Sequence, residues 1–341
     1  MSLMNAIMFD EVNKMRIVRK EIPVPSARQV LIKIKACGIC GTDPHILHGI
    51  YDASYPLVPG HEASGEIVAV GAECNQLKVG DRVAVDPNVS CGYCDFCHRG
   101  LVHLCKNQKP FGVFRDGGFA EYAVVEETHA YKIPDSMSYE EAALVEPTAC
   151  ALHGLQMSGV GPRSTVLLHG MGPMGLLNLQ WMRAAGATTL IVSEPLEHRR
   201  ALALELGADY AFDPTQCDLY KEVRKILPDG PDVIMDCSGI PALLEPAIMQ
   251  VRKGGKVVFF GCCPLDAKIS ISPMYINDNE ITICGSYNNP FTHDPAIQAI
   301  ASGRINVKKL ISHRFSIEEG MEAFAKFGQP DALKILVCPE K

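Results

Sequence analysis

Cys40, Thr42, Asp43 and His45 crowd a thiol, a hydroxyl, a carboxylate and an imidazole into one short stretch, and Gly60-His61-Glu62 soon adds a second imidazole and a second carboxylate. Thiolate, imidazole and carboxylate are the donors that a borderline-soft divalent cation such as zinc takes from a protein. A catalytic zinc keeps three protein ligands and one open position. Cys40 and His61 offer two ligands, and Val145-Glu146-Pro147 offers a third, a carboxylate beside a rigid proline. The plain alternative is a buried thiol at Cys40, a core imidazole at His61 and a surface carboxylate at Glu62. Thr42 and His45 follow Cys40 closely enough to take the proton of a substrate hydroxyl and carry it to solvent.

A second constellation is Cys91, Cys94, Cys97 and Cys105, spaced C-x2-C-x2-C-x7-C. Four thiolates around one tetrahedral ion leave no position for substrate, so this site is structural. An iron–sulfur cluster or free thiols are the alternatives. Gly92, Gly100 and the absence of a following Cys-Pro favour zinc over a ferredoxin-like run.

The third constellation is Gly170-Met171-Gly172-Pro173-Met174-Gly175, placed between the apolar run Thr165–His169 and an expected helix over Leu176–Ala185. Gly170, Gly172 and Gly175 let the backbone turn tightly, while Pro173 and Met174 open a helix whose free amides can hold a pyrophosphate. Glu194, after the run Thr189–Ser193, stands where a carboxylate accepts the adenosine ribose hydroxyls and repels a 2′-phosphate. NAD is therefore expected over NADP, although Arg199 and Arg200 are close enough in sequence to meet such a phosphate.

In their order along the chain, Cys40 to His45, Gly60-His61-Glu62, the lobe at 91–105 and the fingerprint at 170–175 resemble the zinc-containing medium-chain alcohol dehydrogenases, and the resemblance covers essentially the whole chain. It implies two zinc ions per chain, one catalytic and one structural, and a homodimer or homotetramer. It makes Thr42 and His45 a proton relay and Asp43 the carboxylate that orients His61. It lets Glu62 either hydrogen-bond nearby or join the metal directly in some states. Glu146 resembles the polyol (sorbitol) and threonine dehydrogenase branch, in contrast to the cysteine of the ethanol-oxidising enzymes. The expected activity is hydride transfer from a secondary alcohol of a polyol to NAD. A threonine-type or phosphorylated-polyol dehydrogenase is the alternative among enzymes, and a non-catalytic NAD-binding protein is the alternative outside them.

These residues need two kinds of scaffold. Up to about Val89 the chain reads as short strands, Val30–Ala36, Ser64–Gly71 and Val79–Val85 among them, punctuated by Gly, Pro and Asp. After the lobe, Phe111–Tyr122 returns to strand, with Phe111 or Phe114 a candidate wall of the substrate pocket. Ser138–Gly154 reads as helix opened by a Ser138/Glu141 capping arrangement and interrupted at Glu146-Pro147, where the carboxylate would point into an interdomain cleft. Beyond it, strands at Thr165–His169, Thr189–Ser193, Ala208–Phe212, Asp232–Cys237, Lys256–Gly261 and Glu280–Gly285 alternate with helices, as in a doubly wound sheet. The expected fold is α/β: a β-rich, GroES-like catalytic domain over 1–148, a Rossmann dinucleotide-binding domain over 149–286, and a segment 287–341 that the resemblance returns to the first domain. A length of 341 residues suits two domains, and 47% apolar with 21% charged residues is ordinary for a globular chain. A formal charge of −7 without a basic block speaks against nucleic acid and anionic membranes and for a small-molecule alcohol as partner. Fourteen cysteines without a signal-peptide pattern read as reduced thiols of a cytoplasmic protein.

Overall fold

The computed structural model describes residues 2–340. They form two compact units, one built from residues 2–149, Asn289–Gly303 and residues 307–340, the other from Cys150–Asn288 and Arg304–Asn306.

The first unit opens with strands β1 (Leu3–Glu11), β2 (Lys14–Glu21), β3 (Gln29–Gly38), β4 (Glu62–Val70), β5 (Arg82–Val85), β6 (Tyr122–Glu126) and β7 (Ala130–Lys132). In β3 the period-two pattern is explicit: Val30, Ile32, Ile34 and Ala36 are buried, whereas Lys33 and Lys35 turn outward to Glu340. Apolar side chains from these strands, with Phe9, Phe111 and Phe119, form one core. Phe111 belongs to that core at 1% exposure, so plain packing accounts for it better than a pocket wall does. β5 begins later than the expected Val79, because Gly80 takes φ +90° and Asp81 accepts from the Lys78 amide in a turn.

The second unit contains β8 (Thr165–His169), β9 (Thr189–Ser193), β10 (Tyr210–Phe212), β11 (Val233–Asp236), β12 (Lys256–Phe259) and β13 (Thr282–Gly285). They pair in parallel in the order β10-β9-β8-β11-β12-β13, the doubly wound arrangement expected for a dinucleotide fold. Strands such as β8 and β11 are buried along nearly their whole length, because crossover helices cover both faces of a parallel sheet.

The tail adds β14 (Ile311–Phe315) and β15 (Lys334–Val337), which return to the first unit in a sheet of order β14-β15-β3-β4-β5-β7, with β6 also on β3. The sequence reading did not anticipate β14. Ser138 caps its helix as expected: its hydroxyl accepts from the Glu141 amide at 3.2 Å, and the Glu141 carboxylate accepts from the Ser138 amide at 2.9 Å. The interruption differs from expectation. The first helix, Tyr139–Ala143, is capped by Leu144, and Glu146 and Pro147 sit in the first turn of the next, Val145–Ser158. A proline is tolerated there because first-turn amides have no helical acceptor to lose. Among the described residues no helix is long and apolar enough to cross a membrane.

Candidate metal centres and dinucleotide loop

Sheet register builds the first site. β3 and β4 are antiparallel with Gly38 opposite Glu62, so the loop that leaves β3 with Cys40 meets the residue that enters β4, His61. The metal-ligating atoms of Cys40, His61 and Glu62 lie within 4.8 Å of one another. Gly38 is required for this. A Cβ built there would stand 2.0 Å from Glu62 Oε2, an impossible contact. Asp43 is wholly buried in the helix Thr42–Leu47; its Oδ2 accepts from the Cys40 amide at 2.9 Å, and its Oδ1 lies 3.6 Å from His61 Nδ1. Thr42 and His45 are three residues apart on that helix, hence on one face, and Thr42 Oγ1 lies 3.7 Å from Cys40 Sγ. Burial pushes the His61 pKa down, but Cys40 and Asp43 outweigh it and leave the imidazole well above its ordinary value. A converging thiol, imidazole and carboxylate suit a divalent cation of zinc's chemistry.

Two residues that the sequence reading passed over complete this neighbourhood. Lys334, 3% exposed on β15, places Nζ 2.7 Å from both oxygens of Glu62 and 3.2 Å from the Ile39 carbonyl. Burial opposes its charge, yet Glu62 and Cys40 more than offset that and raise its pKa. A lysine inside the apolar strand Leu333-Lys334-Ile335-Leu336-Val337 was the available signal, since a buried ammonium demands a carboxylate. Glu146 falls outside the Cys40–His61–Glu62 cluster. It is 8% exposed and accepts from Asn289 Nδ2 at 3.0 Å.

In the lobe, Cys91, Cys94, Cys97 and Cys105 converge, with Sγ separations of 3.9 Å for 91–97, 3.5 Å for 94–97 and 3.9 Å for 94–105. Zinc–sulfur bonds of about 2.3 Å in a tetrahedron require sulfurs about 3.8 Å apart, so the quartet is already the right size. Amides of Cys91 and Asn107 point at Cys105 Sγ. Backbone donation from Tyr93 holds the Cys91 thiol down to about 6, whereas burial lifts Cys97 to about 11.

In the second unit, Gly170 adopts φ +83° and Gly172 caps the helix Pro173–Ala184, which starts three residues earlier than expected. Met174 and Gly175 therefore lie in its first turn, where amides are free for an anion. A Cβ on Gly175 would meet the Gly170 carbonyl at 1.9 Å, so only glycine allows the helix so close to the loop. Glu194 is 4% exposed, and its carboxylate accepts from the Met171 amide at 2.7 Å and the Leu196 amide at 3.0 Å. It thereby ties the end of β9 to the glycine loop. Arg199 lies in the first turn of the helix Glu197–Glu205, while the Arg200 guanidinium donates to the carbonyls of Glu194 and Pro195 and to Asp213. His169, at the end of β8, is fully buried with Nε2 3.2 Å from the Tyr220 hydroxyl, and burial drives its pKa down to about 4.

Comparison with known proteins finds two family matches along the chain. Residues 26–135 match the family described as alcohol dehydrogenase GroES-like domain, and residues 173–301 match that described as zinc-binding dehydrogenase. The chain is 37% identical to a sorbitol dehydrogenase of Bacillus subtilis over 96% of each chain. It is 38% identical to an L-threonine 3-dehydrogenase of Pyrococcus furiosus over 90% of each. A zinc-binding dehydrogenase from Sinorhizobium meliloti, solved with NADP, superposes with a TM-score of 0.97 at 37% identity, covering 99% of this chain and 100% of that one.

Proposed function

This chain belongs to the zinc-containing medium-chain alcohol dehydrogenase family, and we propose that within it the protein removes hydride from a secondary carbinol of a polyol or sugar-derived alcohol, with NAD as acceptor and two zinc ions per chain. The observation that carries this reading is the convergence of Cys40, His61 and Glu62, a donor set of one thiol, one imidazole and one carboxylate. When bound, zinc polarises the substrate hydroxyl as a Lewis acid, and NAD accepts the hydride.

Cys40 and His61, with Glu62 or Glu146, would hold the catalytic metal, and Asp43 would keep the His61 ring oriented. Thr42 takes the substrate proton and His45 passes it outward. Lys334 balances the charge of Glu62 whenever that carboxylate is off the metal. Cys91, Cys94, Cys97 and Cys105 hold the structural ion. Gly170, Gly172, Pro173, Met174 and Gly175 receive the pyrophosphate, and Glu194 selects against a ribose 2′-phosphate, with Arg199 beside it. Reduced thiols suit a cytoplasmic homodimer or homotetramer.

A panel of hexitols, pentitols, their phosphates, threonine, butanediol and ethanol, followed by NADH absorbance, tests the reading. The highest kcat/KM is expected on a polyol with a free secondary hydroxyl beside a terminal carbinol, because the neighbouring hydroxyl gives a carboxylate of the site a second point of orientation. Similarity to an L-threonine 3-dehydrogenase favours a second reading, an amino alcohol as substrate. Threonine or ethanol outrunning every polyol and polyol phosphate defeats the polyol assignment.

A further inference from the structure

Glu146 stands at one end of a chain of side-chain amides. Asn289 Nδ2 donates to Glu146 Oε1 at 3.0 Å, Asn88 Nδ2 donates to Asn289 Oδ1 at 2.7 Å, and Gln108 Nε2 donates to Asn88 Oδ1 at 3.2 Å. The direction of every bond follows from the first. A carboxylate only accepts, so Asn289 turns its NH2 toward Glu146; its carbonyl then faces Asn88, and the carbonyl of Asn88 faces Gln108. All three amide dipoles therefore present their positive ends toward Glu146, and bonds in series polarise one another.

The far end is anchored. Gln108 follows Asn107, whose backbone amide donates to Cys105 Sγ at 3.4 Å and whose side chain donates to Cys91 Sγ at 3.6 Å. The near end is fixed by burial, with Asn289 only 2% exposed. Burying the Asn289 amide is costly unless it finds partners, and Glu146 and Asn88 supply them. Asn88 and Asn289 also line a cavity of about 190 Å³ whose other walls are both polar, Asp86 and Thr128 among them, and apolar, Val102 and Phe291 among them.

We infer that Asn289 is a positioning residue for Glu146, that Asn88 acts on Glu146 only through Asn289, and that the four-thiol lobe thereby sets the orientation of the carboxylate. The inference rests on the role proposed above for Glu146. It is tested on fully zinc-loaded enzyme with Asn289→Ala, Asn88→Ala, the double variant and Glu146→Gln, reading kcat and KM separately on the best polyol. Visible absorption of cobalt-substituted protein and melting temperature are read on the same set. Asn289→Ala should lower kcat about tenfold with KM changed less than about twofold, the pattern of a misoriented group. Asn88→Ala should lower kcat about threefold, and the double variant should match Asn289→Ala, because links in series are not additive. The cobalt bands of both single variants should move in the direction that Glu146→Gln moves them. Where Asn289→Ala does not fold, Asn289→Ser replaces it. Losses that multiply in the double variant, or an Asn88→Ala protein with unchanged kcat and cobalt bands, overturn the chain. Glu146→Gln with full activity and unchanged bands instead overturns the role of Glu146 itself.

Discussion

Lys334→Met removes the only cation found on Glu62 among the described residues, and the size of the effect can be worked out. Side-chain exposure is 4% for Lys334 and 1% for Glu62, and both carboxylate oxygens lie 2.7 Å from Nζ. Deleting one partner of such a pair leaves a buried charge uncompensated, at a cost of about 3–5 kcal/mol. At about 2–4 °C per kcal/mol for a unit of this size, the melting temperature should fall by about 6–20 °C. Adding Glu62→Leu removes the stranded charge and should recover most of that loss, since apolar replacement of a buried pair is close to neutral. The raised Lys334 pKa sets the pH window: the contribution is complete below the unfolded value and is lost only as pH rises through the higher folded value. The difference between wild type and variant should therefore stay constant from neutral to mildly alkaline pH. A metal at Cys40 and His61 offers the stranded carboxylate another cation, so the drop should be smaller in zinc-loaded than in chelator-stripped protein. Calorimetry on the four proteins in both states checks this. A stripped Lys334→Met protein melting within about 2 °C of wild type, or a double variant as unstable as the single, refutes the argument.

Elemental analysis of loaded protein should give two zinc ions per chain, and a mild chelator should abolish activity while one remains in the closed thiolate set; a single metal at saturation contradicts this. Glu194→Ser should cost about 1–3 kcal/mol in NAD efficiency and narrow the preference over NADP. Because Glu194 also accepts the Met171 and Leu196 amides, the same change should lower the urea midpoint; equal efficiency with both coenzymes in the unmutated enzyme is the contrary result. His169 is neutral when folded, with a pKa of about 4, so the unfolded chain binds the extra proton as pH falls below its ordinary value of 6.5. Wild type should lose about 2 kcal/mol more than His169→Gln between pH 6.5 and 5 in urea unfolding, and parallel losses exclude the assignment.

What the sequence made legible was local. The capping box at Ser138, the glycine loop with its strand and helix, and the cysteine quartet all lie within short windows whose spacing carries their geometry. What escaped depends on residues far apart in the chain. Lys334 meets Glu62 across 272 positions and Asn289 meets Glu146 across 143, and no periodicity reports such pairs. β14 escaped for another reason: Ile311-Ser312-His313-Arg314-Phe315 has no clean alternation and is a strand because β15 supplies its ladder. The helix boundary near Glu146 was misplaced by treating Pro147 as a breaker, when a first-turn proline costs no hydrogen bond.

The closing strand β15 lies between β14 and β3, so one of the first-made strands of the sheet finds its neighbour among the last. On a ribosome the second unit, nearly all of it within Cys150–Asn288, is complete while the first still lacks that edge. With 272 positions between Glu62 and Lys334 and synthesis at about 5–20 residues per second, the carboxylate waits tens of seconds for its ammonium. During that interval the half-built sheet leaves the Cys37–Gly38 end of β3 and the Glu62 carboxylate uncovered, which should make it the stage most open to early metal capture and to chaperone binding. Stalled nascent chains ending before and after β15 should therefore differ in protease resistance of the first unit but not of the second.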